Sequence, residues 1–472
     1  MKMDFTSTSQ NKPKLIDGGY LYVRQKDLAN DVVSWECDQR KKGMCKARVK
    51  VLNDQIIERI NDHTHAPNQT NVEVTKTRAI MKRRAETSID APQRIISDGL
   101  AQASAAVAVN LPRIENVRRT IRRYRENNPG LPANPQNRAG IPVIPNDLQT
   151  TSNGDRFLLH DSGVGDANRI IVFATDQALD LMRQSDHWFG DGTFSVSPEV
   201  FYQVYTVHAI CNGKVIPCIF SLLPNKQGAT YDRLFLEIAN NMNGKVPTDI
   251  LFDFEQAALN GARHAFPGII VKGCFFHLCK NIWKKIQENG LAVLYETDDE
   301  FSLLMRSISA LAFVPEVDVA QAWNDLETEI RNLYNNNGVD AVLDYFEDTY
   351  VGRQRRGRPR GTPMFPINVW NMVDRTEEEL PRTNNHIEGW HRRFSLNCDS
   401  VHPNIWKFIE SLRREENLVR AEINQVLGGH AVTQKKKYAQ CAARVKHIVV
   451  TYPARRVDML RYLRSIAYNL SF

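Results

Sequence analysis

Apolar and polar positions divide this chain into stretches of different character. Residues 1–11 are polar and predict no element. From 14 to 67 short apolar runs alternate with polar turns, and those at 19–23, 33–37, 47–51 and 55–60 predict strands. Between 72 and 126 the period lengthens to that of helices. Ile114, Val117, Ile121 and Tyr124 recur at i, i+3, i+7 and i+10, which gives one apolar stripe with arginines on the other faces. Residues 127–152 carry Pro129, Pro132, Pro135, Pro142 and Pro145 and predict an exposed, semi-extended linker.

Past residue 153, strand and helix patterns alternate. Two strand runs (157–160 and 169–174) precede a helix at 176–184 and an apolar run that reaches Asp191. Runs at 202–211 and 214–223 follow, joined by Asn212-Gly213, a strong hairpin signal. A helix pattern at 229–242 feeds an apolar run at 250–254, with Asp253 inside it, and a helix at 256–266 follows. The stretch 269–280 passes from strand into a helix that continues to 288. Residues 290–380 read as mostly helical, 405–422 as an amphipathic helix, and 444–472 as an apolar, aromatic end.

A chain of 472 residues with 42% hydrophobic side chains can bury a sizeable core and predicts two to four domains. It has no run of 18 apolar residues and no signal-peptide pattern, so the expectation is a soluble, intracellular protein with no membrane partner. The eight scattered cysteines read as reduced thiols. The net charge of +7 is uneven. Residues 1–130 hold 24 Lys+Arg against 15 Asp+Glu, a net +9, and the remainder carries −2. The N-terminal part is the expected footprint for a polyanion.

Four residues near the ends of the N-terminal strands have metal-ligand spacing, C-x7-C-x17-H-x-H: Cys37, Cys45, His63 and His65. Two thiolates and two imidazoles suit a tetrahedral Zn²⁺, and His63 and His65 share one face of an extended segment. A module of about fifty residues needs such a staple to fold alone.

Three acids suggest a second centre. Asp191 sits in Trp188-Phe189-Gly190-Asp191-Gly192-Thr193-Phe194, on a strand expected inside the sheet, where an unpaired acid is costly. Asp253 ends a short strand. Glu388 lies on a helix that Thr383 or Asn384 can cap. Three carboxylates can hold two Mg²⁺ or Mn²⁺ ions roughly 3.5–4 Å apart, a pair suited to phosphodiester chemistry. Glu255 is an alternative ligand to Asp253.

The basic candidates for DNA contact are Lys82, Arg83 and Arg84, then Arg118, Arg119, Arg122 and Arg123, then Arg356, Arg358 and Arg360. The first cluster also reads as a nuclear import signal, as does the lysine run at 435–437. The segment around Arg358-Pro359 resembles an AT-hook, which enters a narrow A·T minor groove. A solvated basic face is the plain alternative for the arginines at 118–123, and a disordered basic loop that touches phosphates without reading sequence is the alternative for the hook-like segment.

Asp191-Gly192-Thr193-Phe194, the Asp253 strand, Cys274-Phe275-Phe276-His277 and Arg382-Thr383-Asn384-Asn385-x-x-Glu388-x-x-His391 together resemble the transposase domain of Mutator-like elements (MULE). The ligand spacing, Tyr20, Tyr22 and Trp35-x-Cys37 resemble a FLYWCH-type zinc finger. These resemblances imply an α/β fold: an RNase H-like mixed sheet with a helical insertion, preceded by a small β-rich zinc module and a helical segment. The implied organisation is a finger at 12–67, a basic helical DNA-binding segment at 72–126 and a linker at 127–152. A transposase domain follows at 153–400, with its insertion at about 290–380, and then a C-terminal helical region at 401–472.

The implied activity is cut-and-paste DDE transposition with Asp191, Asp253 and Glu388 as the triad. Cys274, His277, Asn385, His391 and Arg392 are implied to serve structure or DNA positioning. The implied partners are double-stranded DNA (terminal repeats and target) and further copies of the chain, in the nucleus. The alternative is a domesticated, non-catalytic DNA-binding regulator.

Overall fold

The computed structural model describes residues 4–7, 12–87, 92–101, 103–126, 134–398, 402–429, 436–452 and 458–470. Lys435 and residues 127–133 of the predicted linker lie outside that set. The chain forms two compact units, residues 1–133 and 134–472. Among the described residues, no helix is long and apolar enough to cross a membrane.

The first unit opens with a six-stranded antiparallel sheet in sequence order. Its strands are β1 (Asp4–Ser7), β2 (Pro13–Asp17), β3 (Tyr20–Asp27), β4 (Val33–Cys37), β5 (Arg48–Leu52) and β6 (Gln55–Ile60). β1 corrects the expectation that the N-terminal residues form no element. Its polar sequence carries no strand signal, and pairing with β2, Phe5 opposite Leu15, makes the strand. Leu15, Tyr22, Trp35, Val49 and Val51 form a small core.

Four helices follow: α1 (Gln69–Thr87), α2 (Pro92–Ala101), α3 (Ala105–Asn110) and α4 (Ile114–Glu126). Met81, Ala85, Ile95, Ile96 and Ile121 make their own apolar centre, and Val117 and Tyr124 pack on it. The stripe read from the sequence is therefore the buried face of α4, except that Ile114 is 49% exposed.

The second unit is built on a seven-stranded mixed sheet in the order β13-β12-β9-β10-β11-β8-β7. Its strands are β7 (Leu158–Asp161), β8 (Ile171–Phe173), β9 (His187–Thr193), β10 (Gln203–Cys211), β11 (Lys214–Leu223), β12 (Asp249–Phe252) and β13 (Ile270–Gly273). β9, β10 and β11 are an antiparallel meander, and β12 and β13 run parallel to β9. Asn212 and Gly213 both take positive φ (45° and 79°), so the hairpin turn needs the residues the sequence supplies.

The helices between strands are α5 (Asp176–Gln184), α6 (Gly228–Asn240), α7 (Gln256–Ala265) and α8 (Phe275–Glu288). Mostly helical structure then runs to α9 (Asn385–Asn397) and α10 (Ile405–Leu427). Residues 134–152 are not a free linker. Ile141, Ile144 and Leu148 are buried in the second unit's core, and the Arg169 guanidinium donates to the carbonyls of Ile141 and Pro142. Proline content signalled extension, but the isoleucines and leucine between the prolines decide where the segment lies.

Candidate functional sites: an acid cluster and a Cys2His2 centre

β9 lies between β12, its parallel neighbour, and β10. Side chains alternate along a strand, so Phe189 and Asp191 share one face. Leu251 and Asp253 share that face on the β12 side, and the register pairs Leu251 with Phe189. The two strands run about 4.8 Å apart, and Asp253, the first residue past β12, is near enough for its charge to act on Asp191. Asp253 lies one residue beyond β12 rather than inside the strand. Glu388 arrives on α9, whose Ile387 packs with Phe189, Leu251 and Cys274 on the same face.

Asp191 feels the other two acids. Burial, then the charges of Asp253 and Glu388, push the Asp191 carboxyl up to about 8, against a hydrogen bond from the Gly192 N–H at 2.9 Å. Burial and the charge of Glu255 raise Asp253 to about 6. Glu255 is not a spare ligand: one oxygen accepts from Lys226 Nζ at 2.6 Å and the other from Tyr231 Oη at 2.7 Å. The glycines flanking Asp191 have a steric cause. A Cβ at residue 190 would come within 2.6 Å of the Phe252 ring, and one at 192 would meet the Gln203 amide.

Imidazoles line the cluster. His391 Nδ1 lies 3.7 Å from Asp191 Oδ2, and His277 Nε2 lies 4.0 Å from Glu388 Oε1. Thr206, opposite Asp191 on β10, has its hydroxyl 3.0 Å from His208 Nε2 and 3.5 Å from His391 Nε2. Burial lowers His277, His386 and His391 to about 4 and holds His208 well below its ordinary range. These rings are neutral at neutral pH and supply no charge to balance the acids. The carboxylates are hard oxygen donors of the kind a divalent cation takes. Among the described residues, however, their ligand atoms are not gathered within 4.8 Å of one another, and Lys226 is the cation whose charge reaches Asp191 and Asp253.

Cys274 and Asn384 fix the element that carries Glu388. The Cys274 thiol donates to Asn384 Oδ1 at 2.8 Å, and the Asn384 N–H points back at the sulfur at 3.4 Å. Both side chains are fully buried, and they precede α8 and α9 respectively. On α9, Asn385 and Arg392 are exposed. Sequence reasoning passed over Thr206, Lys226 and His386. Thr206 and His208 were discoverable from strand alternation once Asp191 was given its face.

The N-terminal centre is tighter. The ligand atoms of Cys37, Cys45, His63 and His65 all lie within 4.8 Å of one another, and among the described residues this is the one such His/Cys/Asp/Glu group. Cys37 Sγ is 3.3 Å from His65 Nε2 and Cys45 Sγ is 3.4 Å from His63 Nδ1. A tetrahedral S–Zn–N edge spans about 3.6 Å. The free ring nitrogens are also engaged. His65 Nδ1 donates to the Ala66 carbonyl at 3.0 Å, which leaves Nε2 its lone pair, and His63 Nε2 meets Tyr22 Oη at 2.8 Å. The Tyr20 ring stacks on His63 at 3.5 Å.

Burial raises the Cys37 thiol to about 11. Burial also acts upward on Cys45, but the N–H groups of Ala47 and Thr64 outweigh it and hold that thiol at about 7. The four residues make a Cys2His2-type zinc site.

The basic residues divide by orientation. Lys82 is buried over the Tyr124 ring near Glu86, Arg84 pairs with Asp98, and Arg118 donates to Gln93. Arg83, Arg119, Arg122 and Arg123 are exposed. In the hook-like segment Arg356 and Arg358 are exposed, whereas Arg360 turns inward onto Glu347 and the Gly352 carbonyl, both at 2.6 Å.

The family model of the MULE transposase domain matches residues 187–281, and that of the FLYWCH zinc finger domain matches residues 5–65. The first match runs from β9 into α8 and includes Asp191, Asp253, Cys274 and His277 but stops short of Glu388. The second spans the six-stranded sheet and all four zinc ligands. Comparison with curated proteins returns no match.

Proposed function

We propose that this chain, which carries a MULE transposase domain and a FLYWCH zinc finger and so is transposase-related and DNA-binding, is a DDE-type DNA transposase that cleaves and joins phosphodiester bonds at element ends. The observation that carries the reading is that Asp191 on β9 feels the charges of both Asp253, just past β12, and Glu388 on α9, whose Ile387 packs on Phe189 and Leu251. The sheet order β11-β10-β9-β12-β13 agrees with the RNase H-like fold that the resemblance implies.

Asp191, Asp253 and Glu388 would hold two Mg²⁺ or Mn²⁺ ions. Bound there, such ions acidify a water for attack and stabilise the leaving 3′ oxygen. The chain's own contribution is positional. Cys274 and Asn384 hold Glu388 over the sheet, and neutral His277 and His391 stand beside its carboxylate and that of Asp191 without competing for positive charge. Glu255, bound to Lys226 and Tyr231, anchors the loop after Asp253. The zinc module and the exposed arginines of α4 supply DNA affinity, the joined ends bring further copies of the chain together, and the site of action is the nucleus.

The test is incubation of the purified chain with Mn²⁺ and DNA carrying the element's terminal repeats. Nicks with 3′-OH ends, lost in Asp191→Ala, are the expected result. Intact DNA, with binding retained, would favour the non-catalytic regulator.

A further inference from the structure

Two large aromatic rings stand in solvent beside the acid cluster. Phe194 follows β9 directly, three residues past Asp191, and is 43% exposed; Tyr202 directly precedes β10 and is 52% exposed. Their rings meet edge to face with centroids 5.2 Å apart. Lys226 Nζ sits 4.9 Å from the Phe194 centroid and bonds Glu255, two residues from Asp253. The rings, the ammonium and the acids are thus continuous, and the charge of Lys226 reaches both Asp191 and Asp253.

Solvent-facing aromatic surface beside a cation suits a nucleotide whose base has left its stack: the rings cover the base and the ammonium faces the phosphate. We propose that Phe194 and Tyr202 form a stacking platform for an unpaired DNA base flanking the scissile phosphate, with Lys226 at the neighbouring phosphate. This rests on the transposase reading for the identity of the nucleic acid. It adds that the strand is locally unpaired when it reaches the acids. Pulling a base out of the duplex is costly, and a waiting ring pair offsets part of that cost.

The test uses the full chain in Ca²⁺, so that binding is read without cleavage. Two labelled DNAs of one sequence are compared by anisotropy, a blunt duplex and a fork with an unpaired arm. Phe194→Ala and Tyr202→Ala should each weaken fork binding about tenfold and change blunt-duplex binding by less than about twofold, and Phe194→Trp should keep the fork preference. Equal weakening on both DNAs, or none on the fork, overturns the platform. Tighter binding of a fork whose arm is RNA overturns the assignment to DNA. A chain that prefers forks through Phe194 yet never cuts in Mn²⁺ supports the platform and refutes the enzyme reading alone.

Discussion

The thiol of Cys274 donates a 2.8 Å hydrogen bond to the side-chain carbonyl of Asn384, and the two residues stand at the starts of α8 and α9. Burial pushes that thiol up to about 12, so it stays in the protonated form that donates. Removing it strands a buried acceptor. Cys274→Ala should therefore cost roughly 1–3 kcal/mol of stability, and Cys274→Ser should recover part of it. Thermal melts check the stability, and the Mn²⁺ concentration needed for DNA nicking checks the positioning of Glu388.

The metal-free acid cluster should make the protein pH-sensitive in a defined direction. Asp191 and Asp253 have folded-state pKa values above the ordinary carboxylate range, at about 8 and about 6. The native state therefore holds their protons more tightly than the unfolded chain does. That contribution is full below the ordinary range and is lost as pH rises through the raised values. His277, His386 and His391, lowered to about 4, and His208, held well below its ordinary range, work the other way up to about pH 6.5. Without divalent ions, the acids' contribution falls from about pH 4, and net stability should fall between about pH 6.5 and about pH 8. Asp191→Asn should remove roughly 1–3 kcal/mol of that fall, measured by denaturant titration.

Zinc removal should unfold the N-terminal sheet. Its main apolar cluster has five buried side chains, so the four ligands should supply much of the remaining stability. Chelation should abolish its strand circular dichroism and its DNA binding, and added Zn²⁺ should restore both. Tyr22→Phe deletes the hydroxyl next to His63 and should weaken Zn²⁺ about tenfold in a competition titration.

Exposed arginines on α4 should contribute through phosphate contacts. Replacing Arg119, Arg122 and Arg123 together by Ala should reduce the log K against log[salt] slope by roughly 2–3. Replacing Arg360, which is tied to Glu347 inside the fold, should change stability instead.

Much of this architecture was readable from the sequence because the signals were local. The Asn212-Gly213 turn, the helix at 176–184 and the C-x7-C-x17-H-x-H spacing each state their own geometry. What stayed hidden depends on partners distant in the chain. β1 exists through its pairing with β2, and the segment 134–152 is held by Ile141, Ile144 and Leu148 in a core assembled from later elements. Arg375, buried against Asp249, shows no sequence sign of being anything but a surface cation. The same holds for Glu255, a free carboxylate on paper and a bound one in the fold.

The parallel register that sets Phe189 against Leu251 has an outcome for how this protein can change over time. Gaining or losing one residue within β12 would swing Asp253 to the opposite side of the sheet, toward the Tyr205 and Tyr231 layer. Gaining two would restore its side but carry it roughly 6–7 Å along the strand, out of step with Asp191. Length variation is therefore tolerable in the loops and the helical region but not between residues 249 and 253. Insertions found there in related genes would mark copies that have given up the chemistry while keeping the fold.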